Sequence, residues 1–256
     1  MNRIHSVPSS TFGTLRKSSQ RPDATAVDHD ERWKQSLFVP LHYEKEYAYP
    51  LLVWLHGAGD DERQLKRVMP GISLRNYIAV GPRGTSPYFT DEAASYCWQQ
   101  TESDIIEAQY RLAECIERVQ ARYNVHSSRV FVGGYADGGT MALRLALRMP
   151  QLCAGVISIG GAMPQGLSPL VNVERARGLP VLLMQGKNSQ EYPTDQMCHD
   201  LRVLHAAGMA AAIRQYPAED ELTTTMLSDL NAWLMERVTG VPSESPKPVG
   251  NRREHN

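Results

Sequence analysis

The chain has 256 residues, 42% of them hydrophobic, with 27 Lys and Arg against 28 Asp and Glu and a formal net charge of -1. That size and apolar content suit one large α/β domain, and the charge balance offers no field that would draw nucleic acid or an anionic membrane. No apolar run approaches the roughly 18 residues of a membrane span, and residues 1–30 lack the apolar stretch of a secretory signal, so no membrane span and a cytoplasmic location are expected.

Residues 1–30, rich in Ser, Arg, Asp and Pro without apolar periodicity, read as a flexible arm before a domain over 31–239. Ser36 to Val39 makes a short strand closed by Pro40. Pro50 to Leu55 is apolar at every position, as a central strand covered on both faces must be. It delivers His56-Gly57-Ala58-Gly59-Asp60-Asp61, a glycine turn whose N–H groups fall at the carboxyl end of a sheet. Asn76 to Val80 is a further strand, and the loop from there to Trp98 carries Tyr88, Phe89 and Tyr96. These aromatics either line a pocket or pack the loop down. Thr101-Glu102-Ser103-Asp104 opens a helix with Ile105, Leu112, Ile116 and Val119 on its packed face.

Val130 to Tyr135 is a β-branched run that breaks at Gly133 and Gly134, and Asp137 to Met149 is helical and apolar nearly all round, stopped by Pro150. Strand, sharp turn and helix with small residues on both sides of Ala136 have the form of a nucleophile elbow. The central residue is an alanine, whose methyl group has no proton to lose and no lone pair to attack with. Ala154 to Gly161 and Pro180 to Gly186 are two more buried strands. Thr194 to Ala207 is a helix stopped by Gly208, Ala210 to Tyr216 a last strand, and Leu222 to Val238 a last helix. From Gly240 the chain reads as a disordered tail. Cys97, Cys115, Cys153 and Cys198 form no C-x-x-C pair, so reduced thiols are expected rather than a zinc site or disulfides. His199 and His205, six apart on one helix, face different ways and read as packed or surface residues.

Taken together, the His56 to Asp61 turn, Gly134-Tyr135-Ala136-Asp137-Gly138-Gly139 and the C-terminal strands resemble the α/β-hydrolase superfamily, in the phospholipase/carboxylesterase branch that includes acyl-protein thioesterases. The likeness runs from about Ser36 to Val238. It implies an α/β-hydrolase fold, with a mostly parallel central sheet and helices on both faces. It also places the triad's serine at Ala136, its acid at Ser189 within Gly186-Lys187-Asn188-Ser189, and its histidine at Asp220, or Glu221 if the loop is one residue longer. No triad member is present, and a serine without an imidazole would in any case lack its base. The oxyanion-hole donors implied by the resemblance are the N–H groups of Ala58 and Asp137, which need no particular side chain. His56, Gly57, Trp98, Tyr135, Glu191 and Glu221 are the pocket candidates.

Two readings follow. In the first the chain is a non-catalytic homologue, a binding or regulatory protein for a small acyl or carboxylate ligand, pairing with itself or with an active relative, and needing no metal or cofactor. In the second it hydrolyses esters or thioesters weakly, through the retained oxyanion hole and relocated acidic groups: Asp137 as nucleophile, Glu191 as acid, or the carboxylates around Ser189 holding a metal.

Overall fold

The computed structural model describes residues 28–30, 34–89 and 94–241. All but the last three residues of the expected arm, and all but the first two of the expected tail, lie outside them.

Six parallel strands form the centre: β4 (Ile78–Pro82), β3 (Tyr49–Leu55), β7 (Val125–Tyr135), β8 (Gly155–Ile159), β9 (Pro180–Gly186) and β10 (Ala210–Tyr216), side by side in that order. Beyond β4 the sheet continues antiparallel through β2 (Gln35–Phe38) and β1 (Asp28–Asp30). The hydrophobic strands are continuous because both sheet faces are covered. Leu51, Val53 and Leu55 point into one core with α2 (Glu102–Arg122), α3 (Asp137–Arg148) and α4 (Thr194–Ala206). Leu52 and Trp54, one residue out of phase, point into the other with α1 (Gln64–Ile72) and α5 (Thr224–Thr239). This is the expected α/β-hydrolase architecture. Among the described residues no helix is long and apolar enough to cross a membrane.

Two features have no counterpart in the sequence pattern. α1 contains Pro70 and has no side-chain cap, yet Leu65, Val68, Met69 and Ile72 are buried, and the turn at Gly71 lies against Leu227 of α5. The aromatic loop after β4 is a hairpin of β5 (Ser86–Phe89) and β6 (Ala94–Cys97). Tyr96 fixes it to the turn after β3, exchanging backbone hydrogen bonds with Gly59 and Asp60 at 3.0 and 2.8 Å. α3 also differs in one respect: Arg144, at its centre, is fully buried. Its guanidinium donates to the carbonyls of Gln165 and Gly166 at 2.6 and 3.1 Å and to Gln100 Oε1 at 2.5 Å, so it ties the loop after β8 to the chain entering α2.

Candidate active site

The carboxyl ends of β3, β7, β9 and β10 bring the singled-out turns together. Between β7 and α3 the chain reverses over one residue, Ala136, with φ 51° and ψ -121°. Strand and helix come so close that a Cβ on Gly134 would lie 2.4 Å from the Gly138 carbonyl oxygen, and one on Gly138 would lie 2.3 Å from that of His56. Only glycine fits at either place. Ala136 has no such excuse for its positive φ, a conformation that costs an L-residue about 1–2 kcal/mol. Ala136→Gly is therefore expected to raise stability. Part of the relief is taken back by the greater freedom of glycine in the unfolded chain, leaving a net gain of about 0.5–1 kcal/mol, read from the midpoint of urea denaturation; a loss would show that the elbow is unstrained.

The second and third loops meet as their positions in the resemblance imply. Ser189 Oγ donates directly to the Asp220 carboxylate, which also accepts the N–H of Gln190 at 3.1 Å. Backbone bonds join the two loops behind this contact, from Lys187 N–H to the Tyr216 carbonyl at 2.7 Å and from Asn188 N–H to that of Ala218 at 3.0 Å. The Ser189 loop is anchored by Tyr192, fully buried, whose hydroxyl donates to Asp200 at 2.9 Å. Asp200 in turn accepts the Met163 N–H and the Gln196 side chain, both at 2.8 Å. Tyr135, half-buried beside the elbow, donates its hydroxyl to the Asp220 backbone carbonyl. Burial, with the carboxylates of Asp220, Glu221 and Glu191 adding to it, raises the pKa of that phenol and keeps it a donor. Glu191 and Glu221 are exposed at the rim, and the Glu221 carboxylate accepts the Glu219 N–H at 3.1 Å.

The least expected feature is the direction of Asp137. Its carboxylate turns back under the elbow and accepts the N–H groups of Trp98 at 2.7 Å and Gly138 at 2.9 Å. Burial pushes its pKa up to about 6, against the opposing pull of those two donors and, less directly, of the N–H groups of Ala58 and of Asp137 itself. The pair of donors that the resemblance assigns to an oxyanion hole thus already faces a negative group belonging to the chain.

Two pocket candidates are buried beneath the turns. His56 is buried; its Nδ1 donates to the Gly57 carbonyl at 2.8 Å and its Nε2 accepts the Gly84 N–H at 2.8 Å. Burial holds its pKa below the ordinary histidine value, and with both nitrogens occupied the ring is a neutral brace. Trp98, also buried, donates its indole N–H to the His56 carbonyl at 3.0 Å. Gly57 packs against the Tyr135 ring, where a Cβ would meet Cδ1 at 2.8 Å. Other histidines are engaged elsewhere, His126 with Ser128 and His205 with the Ala211 carbonyl. Among the described residues no three His, Cys, Asp or Glu side chains converge as metal ligands.

The site can be set beside known proteins. The sequence profile of the phospholipase/carboxylesterase family matches residues 42–236. The rice (Oryza sativa subsp. japonica) protein "Probable carboxylesterase Os04g0669600" is 24% identical over 222 residues, 77% of this chain and 94% of that one. The crystal structure of SOBER1 from Arabidopsis thaliana superposes with a TM-score of 0.63 at 20% identity, over 75% of this chain and 100% of that one. That of a carboxylesterase from Mesorhizobium loti does so with a TM-score of 0.66 at 18% identity, over 83% and 99%. The solved structures share the fold, the profile covers nearly the whole domain, and the chain belongs to the phospholipase/carboxylesterase family.

Proposed function

We propose that this chain is a non-catalytic member of its family, a cytoplasmic binding or regulatory protein that keeps the hydrolase framework without its chemistry. The observation that carries the reading is the elbow. Its strained backbone is retained around Ala136, a residue with no nucleophilic atom, while the following residue holds a carboxylate on the N–H groups of Trp98 and Gly138, close to the donors that would stabilise an oxyanion. Ester hydrolysis builds negative charge on the carbonyl oxygen as the tetrahedral intermediate forms, and a fixed carboxylate at that place raises the barrier. Ser189 and Asp220 hold each other in a contact that fixes both loops but supplies no base of histidine type. Relocated catalysis finds little support, because Asp137 is spent on two backbone donors and is the wrong residue at the elbow for attack.

A neutral carbonyl or acyl group suits this cleft better than a carboxylate while Asp137 is ionised. Partnership with a second copy or with an active relative belongs to the same reading. The direct test is turnover of p-nitrophenyl acetate and butyrate by micromolar protein, with and without added divalent metal. No rate above a denatured control is expected. Turnover that disappears in Asp137→Asn would overturn the proposal and favour an enzyme with a displaced nucleophile.

A further inference from the structure

α2 has an apolar side turned away from the core. Ile105, Ala108, Leu112, Cys115, Ile116 and Val119 are buried beneath it, but Ile106 and Tyr110 are 44% and 71% exposed. With Gln109, Ala113 and Met149 at the end of α3, they line a groove of about 300 Å³. Apolar side chains spaced four and three apart along one helix face make a continuous stripe, the kind of surface that an apolar segment covers.

The helix around the groove is acidic. Glu102, Glu107 and Glu117 are exposed and Glu114 is half-exposed. Glu107 pairs with Arg111 and Glu114 with Arg118, but the Arg111 guanidinium also turns inward to the carbonyls of Arg83 and Gly84 at 2.8 and 3.0 Å. A second copy of this chain laid face to face here would bring glutamates against glutamates. The occupant has to be apolar and basic.

The chain itself contains such a segment outside the described residues. Residues 1–21 carry Arg3, Arg16, Lys17 and Arg21 with no Asp or Glu, interspersed with Ile4, Val7, Phe12 and Leu15. The described chain begins at the sheet edge next to α2: β1 begins at Asp28 and pairs with β2, and β2 meets the inner face of α2, where Cys115 Sγ donates to Gln35 Oε1 at 2.9 Å. The seven residue-to-residue steps from Arg21 to Asp28 span about 23 Å at most, against a helix about 10–12 Å across.

We propose that residues 1–21 dock on the outer face of α2, with their apolar side chains covering Ile106 and Tyr110 and their basic side chains facing the glutamates. This stands apart from the reading of the cleft and survives its failure.

Chymotrypsin cleavage after Phe12 in the full chain tests it. Cleavage is expected to be at least several-fold slower in the parent than in Ile106→Lys, which opposes a basic segment. Lys17→Glu, which alters no residue of the described domain, should give the same acceleration if Ile106→Lys is unstable. Zero-length carbodiimide coupling, on a mixture of heavy- and light-isotope protein, should join Lys17 to an α2 glutamate within one molecule. Equal cleavage rates in parent and variants overturn the proposal, as do cross-links formed only between molecules, which would assign the groove to a second copy.

Discussion

Rebuilding the family's triad by Ala136→Ser, Ser189→Asp and Asp220→His is expected to create ester hydrolysis where the parent chain has none, and to do so weakly until Asp137 is also removed. The backbone is ready for the first change, since the elbow angles at Ala136 hold its side chain out at the sharp turn that a nucleophile occupies. It is ready for the other two because the side chains at 189 and 220 already touch, so an aspartate and a histidine there can make the acid–imidazole bond that orients the base. Losing a triad costs about a millionfold in turnover. Losing one oxyanion donor costs about 100- to 1,000-fold, and the Asp137 carboxylate, held beside those donors by Trp98 and Gly138, imposes a penalty of that kind. The triple variant should therefore recover about a thousandfold over background, and Asp137→Ala added to it about a further hundredfold. Steady-state hydrolysis of p-nitrophenyl butyrate measures both steps. The rate should climb with pH through about 6.5 as the new imidazole loses its proton. A quadruple variant that matches the parent in urea denaturation and stays silent would show that Ser189 and Asp220 are not the acid and base positions.

What the sequence made legible were the features written in local pattern. β3, β8 and β9 are runs of apolar residues with no alternation, because both of their faces are buried, and the elbow is marked by glycines that close approach demands. α1 was hidden by Pro70 and Gly71, which break helices in isolation but are outweighed here by burial of Leu65, Met69 and Ile72. The β5–β6 hairpin carries no strand signal of its own, because its strands are four residues each and its attachment, Tyr96 to Asp60, joins segments 36 residues apart. At the site, the meeting of Ser189 and Asp220 is what the family resemblance implies for the loops after β9 and β10. The direction of Asp137 was not, since its acceptor role depends on the Trp98 N–H, brought in from the hairpin. His56 and Trp98 stand in the right turns, but side-chain direction buries both beneath them. A histidine between Leu55 and Gly57, at the end of a strand, carries no local sign of which way its ring will point.

The stability difference between Asp137→Asn and the parent is expected to grow with pH. In the folded chain the Asp137 carboxyl titrates near 6, against 3.8 for an ordinary aspartate. Between those values the folded protein holds a proton that the unfolded chain has released, so Asp137's contribution to stability falls as pH rises through the window and is fully lost above about 6. The two pKa values correspond to about 3 kcal/mol, and partial contact with solvent reduces this to about 2 kcal/mol. Asparagine has no charge to lose. It keeps one oxygen for the Trp98 or Gly138 N–H but turns an NH₂ group toward the other donors, a penalty that does not change with pH. Titrations elsewhere are common to both proteins and cancel, which leaves the slope as the signature. From pH 4 to pH 8 the variant should gain about 2 kcal/mol on the parent, or about 4–8 °C in Tm for a domain of this size. A constant difference would mean that the carboxylate ionises as freely as one in water. The donors at Ala58 and Asp137 would then be open to a ligand's oxygen, and the cleft would bind carboxylates that the present geometry turns away.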